Sequence, residues 1–129
     1  MSDHHPQHAQ SAGGLLELDA SELHALLRDR LAVLVDVREP GEFDGERIPG
    51  ALLFPLSGFD PQCLPIESRQ RLVLHCGTGR RSAQAAQRLL GAGRAEAAHL
   101  AGGIQAWKRA GLPVTRRDPA TGRVHHAHL

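Results

Sequence analysis

Cys76 is the residue most able to do covalent chemistry in this chain. It stands in His75-Cys76-Gly77-Thr78-Gly79-Arg80-Arg81-Ser82, after the apolar run Leu72–Leu74 and before a helical pattern over 82–90. Each neighbour favours a thiolate. Unpaired amides at a helix N-terminus would point at the sulfur, and the helix dipole adds partial positive charge there. Gly77 and Gly79 let the backbone curl so that successive N–H groups face inward as an anion nest, and Arg80 and Arg81 add full charges. Such a cradle would hold a thiolate and a tetrahedral anion together. A strand-end cysteine by itself packs as a small hydrophobe; the glycine and arginine context makes this one a nucleophile.

Two further clusters carry chemically loaded residues, Asp36-Val37-Arg38-Glu39 and Leu100-Ala101-Gly102-Gly103. Asp36 and Arg38 are expected to pair or to cap backbone, shaping the rim of the site without reacting. Cys63, in the proline-flanked Asp60-Pro61-Gln62-Cys63-Leu64-Pro65, reads as an ordinary free thiol. His75 should face away from the site if its strand alternates to the end. His99 reads as core packing as well, and Trp107 as the anchor of its helix.

The elements that must position these residues follow from the apolar pattern. Asp19-Ala20-Ser21-Glu22 is a capping-box sequence, and Leu23, Leu26 and Leu27 then mark one helix face. Apolar runs at 15–18, 32–37, 51–56, 72–75 and 97–100 read as strands. Residues 82–90 and 104–110 read as helices, the second ended by Gly111 before Pro113. The alternation predicts an α/β fold with a central, mostly parallel sheet of about five strands and helices on both faces. Ligands of such sheets bind beyond the carboxyl ends of the strands, so the three clusters should converge there.

Composition narrows the partners. The chain of 129 residues suits one domain, and 41% hydrophobic residues suffice for a core. Fifteen basic against fourteen acidic residues give a net charge of +1, which argues against a nucleic-acid or membrane-binding surface. No apolar run approaches the roughly 20 residues that span a bilayer. The start of the chain lacks the basic-then-apolar order of a secretory signal, and two cysteines make no disulfide framework, so a cytoplasmic setting is expected. Every basic residue but Lys108 is arginine, a bias that suits a GC-rich bacterial genome. Residues 15–114 are expected to form the ordered body. Residues 1–14, with His4, His5 and His8, and 115–129, with His125, His126 and His128, are expected to be mobile tails that hold no metal.

Taken together, the motifs resemble the rhodanese-like family, specifically its single-domain thiosulfate sulfurtransferases. Asp36-Val37-Arg38-Glu39 resembles the family's first signature and Ile48-Pro49-Gly50-Ala51 its second. The stretch from Cys76 to Ser82 is similar to the active-site loop, and Gly102-Gly103-Ile104 with Trp107 and then Gly111-Leu112-Pro113 resembles the closing motif and exit. Arg47 departs from the pattern, since many members have histidine before the isoleucine; it reads as a surface change. The resemblance implies a rhodanese-like fold and a persulfide cycle. Cys76 would take the outer sulfur of thiosulfate or a related donor and pass it to cyanide, a thiol or a sulfur-accepting protein, with no cofactor and no metal. Cys76 would be catalytic, and Gly77, Thr78, Gly79, Arg80 and Arg81 would bind the anion.

Two other readings stay open, a sulfur-relay module that carries persulfide without turnover and an arsenate reductase or cysteine phosphatase of the related fold. Loop length speaks against the second. The spacing from Cys76 to Arg81 is Cys-x4-Arg, one residue shorter than the phosphatase Cys-x5-Arg. One amide fewer leaves a ring too narrow for three equatorial oxygens of a phosphoryl group. The protein should therefore show negligible hydrolysis of aryl phosphates and no arsenate reduction; measurable turnover of either in a steady-state assay would defeat the loop-length argument.

Overall fold

Residues 10–12, 14–64 and 69–127 are described by a computed structural model. Five strands and two helices come first: β1 (Gln10–Ala12), β2 (Leu15–Leu18), α1 (Ala20–Arg28), β3 (Ala32–Asp36), α2 (Pro40–Gly45), β4 (Glu46–Arg47) and β5 (Leu52–Leu53). After two 3-10 turns at Leu56–Gly58 and Pro61–Cys63 follow β6 (Arg71–His75), α3 (Arg80–Gly91), β7 (Ala97–Leu100), α4 (Gly103–Arg109), β8 (Val114–Arg117) and β9 (Val124–Ala127). The capping box of α1 forms as its sequence dictates: the Glu22 amide donates to the Asp19 carboxylate at 2.8 Å, and the Asp19 amide donates to Glu22 at 2.9 Å.

The main sheet runs β1-β2-β7-β6-β3-β5, with β1 antiparallel and the other five strands parallel. Its two faces bury separate apolar sets, because side chains alternate along each strand. On one face Leu34, Val73, Ala98 and Leu100 pack with Leu23 of α1 and Ile104 and Trp107 of α4. On the other, Val35, Leu74 and Ala97 pack with Ala85, Ala86 and Leu89 of α3. Small residues on α3 let that helix lie close to the sheet. The indole of Trp107 is fully buried and donates to the Pro113 carbonyl at 2.8 Å, which fixes the exit of the chain from α4.

Three expectations need correction. The strand expected over 51–56 keeps ladder pairing only at Leu52–Leu53; Pro55 has no N–H, and Phe54 and Leu56 instead donate to the Asp36 and Val37 carbonyls. Helix α2 was not foreseen, although Glu39 as N-cap, Pro40 at the first position and Glu42 at the third make a capping box. Residues 115–127, expected as part of a mobile tail, carry all of β8 but Val114 and the whole of β9, which form an antiparallel sheet, β4-β8-β9, and β1 adds an antiparallel strand before β2. The stretch has no apolar periodicity because charge holds it. Glu46 receives Lys108 at 2.8 Å and Arg116 at 2.6 and 3.0 Å, and Arg117 pairs with Asp44. His4, His5, His8 and His128 lie outside the described residues, as does the side chain of His126. Among the described residues no three His, Cys, Asp or Glu side chains are grouped to hold a metal.

Burial pushes the Glu46 carboxyl up, but Lys108 and Arg116 outweigh it and hold the group below the ordinary carboxylate range. A depressed carboxyl stabilises the fold above its unfolded titration and loses that contribution as pH falls through the folded one. Glu46→Gln should therefore cost about 1 kcal/mol at neutral pH. The gap to wild type should close as thermal melts are repeated at pH values below the carboxylate range.

Candidate active site

The order β7-β6-β3 places three strand ends side by side, so the loops after Leu100, His75 and Asp36 meet as expected for a parallel sheet. Cys76 leaves β6 at the centre and is fully buried. The chain then turns through Gly79, whose φ of +104° is left-handed, into α3. The turn brings amides round the sulfur. Gly79 N–H donates to Sγ at 3.1 Å and Ser82 N–H at 3.3 Å, and the Ser82 hydroxyl lies 3.6 Å away. Burial alone would raise the Cys76 thiol, but the Ser82 amide and hydroxyl and the Gly79 and Thr78 amides outweigh it and lower the group from its ordinary value.

The carbonyls of the same loop face the other way. Cys76 O accepts from Ile104 N at 2.8 Å and Gly77 O from Gln105 N at 3.1 Å, so the first amides of α4 hold the loop from behind. No side chain fits between them. Gly103 has a φ of +61°, and a Cβ there would overlap the Cys76 carbonyl oxygen and lie 2.5 Å from that of Gly77.

The expected site residues divide into those that reach the sulfur and those that do not. Of the loop amides, those of Thr78 and Gly79 act on Sγ together with that of Ser82, which lay outside the expected 77–81 set. Arg80 is exposed beside the loop. Arg81 does not close the loop over the sulfur; it spans to Glu42 of α2 in a two-bonded pair of 2.7 and 3.0 Å. Arg81 holds the Glu42 carboxyl down at about 2. Cys63 is exposed, and hydrogen bonding from its thiol to Asp60 raises it, the opposite of an activated nucleophile.

Asp36 and Arg38 pair as expected, and more deeply than a rim requires. Arg38 donates through Nε at 3.0 Å and Nη2 at 2.8 Å to the fully buried Asp36 carboxylate, and through Nη2 to the Glu46 carbonyl at 2.6 Å. His75 Nε2 lies 3.3 Å from Asp36 Oδ2, outside hydrogen-bond geometry, and its Nδ1 lies 3.2 Å from Cys76 O. Burial would raise Asp36, but His75 and Arg38 keep it ionised well below the usual carboxylate range. Register fixes which way the histidines point. His75 is the partner of Asp36, whereas His99 is the partner of Leu74, so the two rings lie on opposite faces of the sheet. His99 is the residue that sequence reasoning missed. Its Nδ1 is 2.8 Å from Ser82 Oγ, and its Nε2 is 3.2 Å from Glu17 Oε2.

Gly103→Ala should damage the site far more than one methyl group suggests. The left-handed backbone costs an L side chain roughly 1–2 kcal/mol, and the overlap with two carbonyls forces the Cys76 loop to shift as well. The expected result is a loss of Cys76 reactivity of more than about tenfold with helix content retained, since a displacement near 1 Å at reacting atoms costs about 100-fold. Circular dichroism alongside thiol titration checks it.

Comparison with known proteins agrees with this geometry. Residues 19–110 match the family described as Rhodanese-like domain. The chain is 45% identical over 98 residues to the uncharacterized protein slr1261 of Synechocystis sp., covering 76% of this chain but only 55% of that protein's length. It is 37% identical over 99 residues to a sulfurtransferase of Allochromatium vinosum, covering 76% of this chain and 92% of the relative. The crystal structure of a rhodanese-related protein from Thermoplasma volcanium superposes with a TM-score of 0.66 at 29% identity, over 76% of this chain and 95% of that one. With the strand order, the amide-ringed cysteine and the paired glycines at the start of α4 all in place, the chain belongs to the rhodanese-like domain family.

Proposed function

We propose that this protein is a sulfurtransferase that moves a sulfane sulfur from thiosulfate, or a related small anionic donor, to a thiophilic acceptor through a persulfide on Cys76. The observation that carries this reading is the buried sulfur facing the first amides of α3, in a loop one residue too short for a phosphoryl group. The thiolate attacks the outer sulfur of thiosulfate, the sulfur–sulfur bond of the donor breaks, and sulfite leaves with its electron pair. The persulfide carries its negative charge on the outer sulfur, where the loop amides and the α3 dipole stabilise it. Cyanide or a thiolate then attacks that sulfur, and the Cys76 thiolate departs. Exposed Arg80 draws the doubly charged donor toward the loop. The paired Arg81 and Glu42 set the loop's position with little net charge.

The test is mass spectrometry after thiosulfate treatment. Wild type and Cys63→Ser should each gain one sulfur mass, and Cys76→Ser should gain none, because an alcohol does not ionise at neutral pH. Addition of cyanide should return the protein to its starting mass with many turnovers per site. Loading on Cys63 would reverse the assignment, and single loading without release to small acceptors would make the protein a relay module.

A further inference from the structure

Cys76 is sealed from solvent, yet its proton has to leave before the sulfur can attack. A continuous polar chain runs from that sulfur to the surface. Ser82 Oγ is 3.6 Å from Sγ, His99 Nδ1 is 2.8 Å from Ser82 Oγ, and Glu17 Oε2 is 3.2 Å from His99 Nε2. Ser82 and His99 are buried, whereas the Glu17 side chain is 48% exposed. The chain crosses three elements, α3, β7 and β2, and the parallel register of Glu17 with His99 sets its outer link. We propose that Ser82, His99 and Glu17 form a proton relay that deprotonates Cys76 inside the fold, with His99 and Glu17 acting as positioning residues through the Ser82 hydroxyl.

The hydrogen-bonding inventory decides the direction. An ionised Glu17 requires a hydrogen on His99 Nε2, so in the neutral ring Nδ1 is a bare acceptor facing Ser82. Of the two acceptors within reach of the serine hydroxyl, Nδ1 at 2.8 Å is nearer than the Gly79 carbonyl at 3.2 Å, so the hydroxyl donates to Nδ1 and turns a lone pair toward the thiol. On transfer, the S–H bond breaks as an O–H bond forms on Ser82, and the hydroxyl's former hydrogen moves to Nδ1. No electrons leave the system. The products are a thiolate and an imidazolium, and the imidazolium sits against the Glu17 carboxylate. His99 Nδ1–H now donates to Ser82, whose hydroxyl hydrogen is shared between Sγ and the Gly79 carbonyl at 3.2 Å. This is the logic of a nucleophile, a base and an orienting carboxylate, with one hydroxyl interposed.

The charged and titratable groups around the chain come from several elements. They are Glu17 on β2, Arg81 on α3 with its partner Glu42 on α2, and, across the sheet, Asp36, Arg38 and His75 at the ends of β3 and β6. The last three compensate one another, and Arg81 is paired, so Glu17 is the group placed to stabilise a charged His99.

The proposal rests on the reading of Cys76 as nucleophile, and the experiment separates the two. Ultraviolet thiolate absorbance is followed against pH in the Cys63→Ser protein, where Cys76 is the remaining thiol. The chain has no tyrosine, so phenolate does not overlap the signal. Glu17→Gln and His99→Gln should each move the midpoint upward by about one pH unit, so that sulfur loading from thiosulfate falls about tenfold near neutrality and recovers at alkaline pH. Ser82→Ala should do the same, and Ser82→Thr, which keeps the hydroxyl, should restore the midpoint. An unchanged midpoint in Glu17→Gln, a half-exposed position where folding is safe, would overturn the relay whatever happens to the rate. Absence of sulfur loading on Cys76 in the parent protein at every pH would instead sink the nucleophile reading, since the titration involves no donor.

Discussion

The fixed point of this structure is the backbone sandwich between the Cys76 loop and the start of α4. The Ile104 and Gln105 amides donate to the loop carbonyls, so the loop's own amides must turn inward. That inversion is what surrounds a buried sulfur with N–H groups. It works only while the two backbones touch, and they touch only because Gly103 has no side chain. Two helix N-termini thus serve one loop from opposite sides, α4 holding its carbonyls and α3 receiving its sulfur.

Charge in the surrounding layer is arranged so that little of it is free. Below the loop, Asp36 is ionised between Arg38 and His75 in a fully buried cluster. A buried ion pair is weak support for stability compared with apolar packing, but removing one partner leaves an uncompensated charge. The cluster therefore reads as a device that fixes the strand ends of β3 and β6 relative to one another. Beside the loop, Arg81 and Glu42 hold α2 against α3. The Arg38 guanidinium also takes the Glu46 carbonyl, and the Glu46 carboxylate takes Lys108 and Arg116. A single strand, β4, thus links the site's base to the C-terminal hairpin.

Much of this was legible along the chain. The central strands β3, β6 and β7 read as apolar runs because both faces of each are covered, and such runs need no partner to be seen. Glycines and arginines around Cys76 announced an anion cradle because their effect is local: a turn, a helix start and two charges within six positions. Asp36 and Arg38, two residues apart, were close enough for their pairing to be read directly. The C-terminal hairpin was not legible, because its partners, Asp44 and Glu46, lie about seventy residues earlier and charge pairing leaves no periodicity.

The sequence by itself determined the fold class, the nucleophilic cysteine candidate and the Cys-x4-Arg length of its loop, since these depend on residue type and spacing within one element or one turn. Tertiary structure decided which amides reach the sulfur, that Arg81 turns to Glu42, and that His99 faces Ser82 while His75 faces Asp36. The physical reason is register. Neighbouring strand positions point to opposite faces, and Glu17 and His99 meet only because β2 and β7, eighty-two residues apart at that pair, lie side by side in the sheet.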